Sequence, residues 1–337
     1  MKFCGLDLHS NNSVLVVSDA EDRIVLQRRL PNDLEAILAA LAPYRGELEG
    51  VVVESTYNWY WLVDGLMDAG YRMHLAHVAA IKRYEGLKHS GDAADAAYLA
   101  QLLRLGLLPE GYIYPREQRS ARDLARKRIQ LVRCCTAQVV SIENLVARHT
   151  GARPGCAQVK RMTADQVSAF RLPPDVALAL KANLAICETL QQQIAILEKR
   201  LAECVKLRAD YRLLKTVPGI GQTLATVIML ETGTVKRFAG VGQFSSYCRC
   251  VDSVRQSNGR KKGEGNTRNG NAYLAWAFIE AANFALRQCP PAQRFYERKQ
   301  RATNRIVALK AVAHKLARAC YYMLRDQQPF DVTRCFA

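Results

Sequence analysis

The sequence predicts an N-terminal α/β domain over residues 1–112, a helical, coiled-coil-like middle over 113–212 and a mostly α-helical part over 213–337. Three observations carry this prediction. Short apolar runs separated by turn residues open the chain and pass into β–α alternation. Residues 118–149 and 176–214 then read as long helices, the second with Ile186, Leu190, Ile194, Leu197, Leu201 and Cys204 at three- and four-residue steps. Charge is divided unevenly: residues 1–110 hold 10 Lys+Arg against 15 Asp+Glu, a net −5, whereas residues 111–337 hold 38 against 16, a net +22.

In Lys2 to Asp19, the apolar run Phe3, Cys4, Leu6 and Leu8, the turn residues His9 to Asn12 and the β-branched run Val14 to Val17 read as a strand hairpin. Asp7 sits within its first strand. An ionised carboxylate buried there needs a basic group or a metal ion; otherwise Asp7 lies at an exposed strand edge. Arg23 to Leu30 is a third strand, Asn32 to Leu41 a helix, and Gly50 to Ser55 a buried strand ending in Glu54. Trp59, Leu62, Val63 and Leu66 have helical spacing, Tyr71 to Leu75 is a brief strand, and Ala79 to Tyr84 a short helix. Ser90-Gly91-Asp92 starts a further helix, where Asp92 and Asp95, at i and i+3, share one face of the first turn. Their charge also suits the helix dipole, so the pair alone does not require a ligand.

Beyond residue 110, Gln118 to His149 and Val176 to Leu214 read as long helices, separated by the proline-containing segment Gly151 to Pro174. Arg122, Arg126 and Lys127 belong to a basic face of the first, suited to nucleic acid or simply to solvent. Pro218-Gly-Ile-Gly221 is a turn before a helix, like half of a helix-hairpin-helix. Cys248 to Asn271 reads as a flexible cationic loop carrying Arg255, Arg260, Lys261, Lys262 and Arg268 around Ser257. That serine is either a turn residue or a nucleophile whose alkoxide the cations favour. Helices over Ala272 to Leu286 and about Arg301 to Arg325 follow.

The net charge of +17 favours a polyanionic partner. The basic residues are spread over several segments, unlike a membrane-surface helix with aromatic anchors. No apolar run has membrane-spanning length and no signal peptide opens the chain, so a cytoplasmic, nucleoid-associated protein is expected. The eleven cysteines form no C-x-x-C pair and read as reduced packing residues.

Carboxylates on several rigid elements, Asp7, Glu54, Asp92 and Asp95, are the ligand type that a two-metal phosphoryl-transfer site needs around ions roughly 4 Å apart. Their set and order resemble the RNase H-like fold of the RuvC type. An actin-like or sugar-kinase hairpin would place Gly and Thr or Ser where Leu8-His9 stand. Downstream, Pro218-Gly-Ile-Gly221, Glu231, Phe238, Ser245-Ser246-Tyr247, Gln256-Ser257-Asn258-Gly259 and Thr267-Arg-Asn-Gly-Asn271 follow in an order similar to DEDD transposases of insertion sequences. These are the Piv-invertase-like family, described as bridge-RNA-guided recombinases. The resemblance implies that the four acids bind Mg²⁺, with Mn²⁺ able to substitute, and that Ser257 forms a covalent phosphoserine link to DNA. It further implies donor and target double-stranded DNA, a structured guide RNA, and dimers pairing into a tetramer with a composite site. Where the family commonly has Gly-Leu-x-Pro and Ser-Gly or Ser-Ser-Gly, this chain has Arg249-Cys250-Val251-Asp252 and Ser257-Asn258-Gly259, which leaves Ser253 as the rival nucleophile.

Overall fold

A computed structural model describes residues 1–81, 91–252, 255–263 and 269–336, which fall into two compact units, Met1–Arg116 and Glu117–Ala337. Unit 1 is built on a five-stranded sheet. The expected hairpin pairs β1 (Lys2–Leu8) with β2 (Asn12–Asp19), and β3 (Ile24–Pro31) continues it, all antiparallel. Helix α1 (Leu34–Leu41) then leads to β4 (Leu48–Glu54), parallel to β1, and α2 (Tyr60–Asp68) to β5 (Met73–Ala76), parallel to β4. The order is β3-β2-β1-β4-β5.

Strand alternation assigns the two faces. Cys4, Leu6, Leu8, Leu15, Val17, Val51 and Val53 pack with Ile37, Leu41, Leu62 and Leu66 of α1 and α2. The opposite residues, Val14, Val16, Val52 and Ala76, meet Ala96 and Leu99 of α3 (Asp92–Arg104). Cover on both faces is why the central strands read as nearly continuous apolar runs. Gly5 is the point of closest approach between sheet and helix: a Cβ there would collide with the Ala96 carbonyl and crowd the Ala100 amide. The short helix expected over Ala79 to Tyr84 is corrected in its described part, where Val78–Ala80 is a single 3₁₀ turn; the rest lies outside the described residues, except Ile81.

In unit 2, α4 (Arg116–Thr150) and α6 (Pro174–Val205) form an antiparallel pair, with α5 (Cys156–Val159) in the break between them. Direction follows from the contacts: Asn183 donates to Ser141 at 3.1 Å, and Arg128 donates to Glu198 at 2.6 Å. Cys135, Val139, Ile142 and Val146 pack against Leu180, Leu184 and Cys187 along the seam. The continuous helix read from Val176 to Leu214 is corrected, because α6 ends at Val205 and α7 (Ala209–Leu214) starts afresh. At about 100° per residue an unbroken helix would turn Tyr211 about 240° away from Val205. The break lets Val205, Tyr211 and Leu214 enter one core.

That core gathers around α8 (Gln222–Thr232), whose residues Leu224 to Thr232 are all buried. It is completed by α9 (Val241–Tyr247), α10 (Ala272–Gln288), α11 (Pro290–Ala302), α12 (Arg305–Asp326) and α13 (Val332–Phe336), while the hairpin of β6 (Arg255–Ser257) and β7 (Arg260–Gly263) contributes no described residue to it. The turn before α8 serves packing: Gly219 lies against the backbone of Ala281 and Ala285 in α10, and its N–H donates to Gln288. Among the described residues no helix is long and apolar enough to cross a membrane.

Candidate active site

Asp7 shares its face of β1 with Gly5 and points to the α3 side of the sheet. Leu6 is paired with Val53, so Asp7 and Glu54 occupy the next positions on two adjacent parallel strands. The close packing at Gly5 brings the first turn of α3, with Asp92 and Asp95, to the same end of the sheet. Asp7 is 5% exposed. Burial pushes its carboxyl above the usual carboxylate range, His9 opposes that shift, and Asp95 and Asp92 add to it by repulsion. Asp92 moves the other way, held low first by a hydrogen bond from Arg29, whose Nη2 is 2.5 Å from its Oδ2.

His9 joins this group. Its Nε2 is 3.3 Å from Oδ2 of Asp7 and 3.3 Å from Oδ2 of Asp92. Two asparagines fix the residue, since Nδ2 of Asn32 and of Asn58 donate to its carbonyl at 3.0 and 2.9 Å. Ser13 in turn donates to Asn32 at 2.7 Å, and Thr56 to Asn58 at 3.0 Å. One ligand atom each from Asp7, His9 and Asp92 lies within 4.8 Å of the others, a set able to hold a metal ion. Sequence reading assigned His9 to turn chemistry. The available signal was the spacing: residues 7 and 9 fall on the same side of a chain with strand periodicity.

Ser257 is exposed at the end of β6 and pairs with Arg260 across the turn Asn258-Gly259. Both turn residues have positive φ, 51° and 70°, the backbone of a tight type I′ hairpin. The stretch read as a flexible loop is therefore corrected to a β-hairpin over 255–263, with the turn expected around Ser257 falling at Asn258-Gly259. Ser253 and Arg268 lie outside the described residues. The hairpin's connection to the helices is closed by hydrogen bonds: Asn271 N–H to Tyr247 O at 2.6 Å, and Arg249 to the carbonyls of Asn269 and Gly270 at 3.1 and 3.0 Å. Asn271 also caps α10 and donates to buried Glu231 at 2.7 Å, and Glu231 receives two bonds from Arg126 at 2.6 and 2.8 Å.

Against this geometry two family models match. One, DEDD_Tnp_IS110, described as "Transposase", covers residues 4–150, which include Asp7, Glu54, Asp92 and Asp95. The other, "Transposase IS116/IS110/IS902 family", covers residues 211–297, which include Ser257 and the Glu231–Asn271 contact. The chain belongs to the IS110-type DEDD transposases. It is 24% identical to "Probable family 20 transposase" of Pseudomonas aeruginosa over 334 residues, 95% of this chain and 96% of that protein. It is also 28% identical to "Insertion element IS110 uncharacterized 43.6 kDa protein" of Streptomyces coelicolor over 137 residues, 40% of this chain and 34% of that one.

As a transposase the chain is a DNA-cleaving and DNA-rejoining enzyme. Its predicted nucleic-acid residues are placed as follows. Lys127 is exposed on α4, and Arg260 and Lys262 are exposed on β7. Arg122 is half-buried, Arg255 and Lys261 are strand residues, and Arg126 is engaged by Glu231 with its guanidinium 4.9 Å from the Tyr273 ring centre. The sequence showed few acids near the basic face of α4, but Glu231 and Glu198 reach it from distant positions.

Proposed function

We propose that this transposase cuts and rejoins the ends of an insertion sequence through acid-bound cations and a serine nucleophile, guided by a structured RNA. Unit 1 is then an RNase H-like domain of the RuvC type. What supports this is the antiparallel β3-β2-β1 set continued by parallel β4 and β5, with the four acids at one end. The single observation that carries the reading is the convergence of buried Asp7 with Asp92 and His9, and with Glu54 at the next strand position.

Asp7, Glu54, Asp92 and Asp95 would hold Mg²⁺, or Mn²⁺ in its place, and the bound cation supplies positive charge to a phosphodiester under attack. Ser257 Oγ forms a bond to phosphorus while one P–O ester bond of the strand breaks, and the hydroxyl end that leaves takes up a proton. Reversal by a hydroxyl of another strand rejoins DNA and frees the serine, so no external energy source is consumed. Arg122, Arg126, Lys127, Arg255, Arg260, Lys261, Lys262 and Arg268 contribute the phosphate-facing charge toward donor DNA, target DNA and guide RNA. The middle helices dimerise, and dimers pair into a tetramer in which one protomer's acids serve another's serine. Exposed Leu178, Ile186 and Ile196 on α6 support a partner there.

Incubating the transposase with its co-purified RNA, duplexes carrying the element ends and Mg²⁺, followed by denaturation, is expected to trap a protein–DNA adduct that Ser257→Ala abolishes. An adduct that persists in Ser257→Ala and disappears in Ser253→Ala moves the nucleophile. Cleavage with no adduct makes the protein a nuclease in which water attacks. Undiminished recombination by Asp7→Ala and Asp92→Ala makes the acids inert and the chain a nucleic-acid-binding scaffold.

A further inference from the structure

The acids account for a cation site made of oxygen alone, but the structure sets a nitrogen among them. His9 Nε2 stands at the same 3.3 Å from one oxygen of Asp7 and one of Asp92, and has no aligned hydrogen bond to either. Asp7 is buried and makes no hydrogen bond among the described residues, although an ionised carboxylate inside a sheet needs one or a cation. Two carboxylate oxygens at the same distance from an imidazole nitrogen, all three within 4.8 Å of one another, can form the near side of a coordination sphere. Adjacent ligand atoms around an octahedral cation bonded at about 2.1 Å are about 3 Å apart.

The surroundings hold the imidazole in this place. The His9 carbonyl takes two side-chain hydrogen bonds, from Asn32 after β3 and Asn58 before α2, and its N–H donates to Asn12 across the β-turn at 2.9 Å. Four segments of unit 1 thus converge on a residue whose Nε2 faces the carboxylates of Asp7 and Asp92. Arg29, on the edge strand β3, contacts the same Asp92 oxygen and lies mostly in solvent, so a cation can displace it without breaking the core.

We propose that His9 is a nitrogen ligand of the cation bound here, and that the site consequently favours Mn²⁺ over Mg²⁺. The inference rests on the reading of Asp7 and Asp92 as cation ligands. Mg²⁺ prefers oxygen and keeps its waters, whereas imidazole suits the first-row transition ions and Mn²⁺ accepts both donor types. A cation held by Asp7, His9 and Asp92 would leave further positions for water and a phosphate oxygen.

The test uses the full-length protein with Mn²⁺ as the probe. Electron spin echo spectra of the Mn²⁺-loaded protein are expected to show coupling to a ¹⁴N nucleus, absent in His9→Asn and in His9→Gln. Calorimetric titration is expected to show Mn²⁺ bound at least tenfold more tightly than Mg²⁺ by the wild type, and that ratio falling to near one in both variants. Two substitutions of different size guard against a folding defect, which circular dichroism would report. Mn²⁺ bound in an Asp7-dependent manner without nitrogen coupling overturns the role of His9 and leaves the acid site standing. No Asp7-dependent Mn²⁺ binding overturns both.

Discussion

Gly5 of β1 lies flush against the Ala96 carbonyl of α3, with no room between them for one methyl group. This contact sets how close the acids of α3 come to Asp7. Gly5→Ala is expected to destabilise the protein by about 1–3 kcal/mol through overpacking. It should also weaken cation binding at least tenfold by lifting Asp92 and Asp95 from the sheet. Urea unfolding and calorimetric titration measure the two effects. Gly46→Ala is the control, because a Cβ at Gly46 meets nothing within 4 Å.

Asp7 gives a pH signature with a defined sign. Its folded-state carboxyl is raised, chiefly by burial. Above that raised value the ionised group opposes folding, and the penalty is relieved as pH falls through it toward the unfolded-state value. Asp7→Asn should therefore stabilise the cation-free protein at neutral pH, by on the order of 1 kcal/mol, while abolishing cation binding. Cation affinity of the wild type should start to fall at a higher pH than an ordinary carboxylate would give. Thermal unfolding and titrations across pH 4–8, run with and without cation, read both curves.

Glu231 is 2% exposed and accepts hydrogen bonds from Arg126 and Asn271. Arg126→Met leaves its carboxylate without a charge partner and should cost about 3–5 kcal/mol by urea unfolding. Arg126→Met combined with Glu231→Gln should recover part of that loss. Additive losses in the double variant would mean that the pair is not coupled.

Gly259 sits at φ 70° in the β6–β7 turn, and a Cβ there meets no neighbour. Gly259→Val is disfavoured by backbone conformation alone, at about 1–3 kcal/mol, and it acts on an isolated two-stranded ribbon outside the core. The yield of the adduct proposed at Ser257 is expected to drop at least fivefold, with the thermal midpoint unchanged within about 1 °C. A midpoint that fell by several degrees would show the hairpin to be part of the cooperative core.

Much of unit 1 was legible because its strands are bounded by turn residues and the central ones are buried on both faces, so Val14 to Val17 and Val51 to Val53 announce themselves. Asp7, Glu54, Asp92 and Asp95 were visible as carboxylates interrupting or opening such elements. His9 was hidden by its neighbours Ser10, Asn11 and Asn12, which spell a turn and mask the alternation that carries residues 7 and 9 to one side. The Arg126–Glu231 pair joins positions 105 apart in sequence, beyond the reach of any periodicity. The end of α6 contains neither Gly nor Pro, so only the packing of Tyr211 and Leu214 reveals the break. The β6–β7 strands carry Arg and Lys in place of alternating apolar residues; Asn258-Gly259 was the one hairpin signal they offered.

The hydrogen-bonded closure between Tyr247, Arg249 and Asn269 to Asn271 sets off the β6–β7 ribbon from the helical frame of unit 2, whose buried core takes no described residue from it. A change of charge or length within β6 and β7 is therefore expected to leave the helical frame folded, provided that Arg249 and Asn271 are retained.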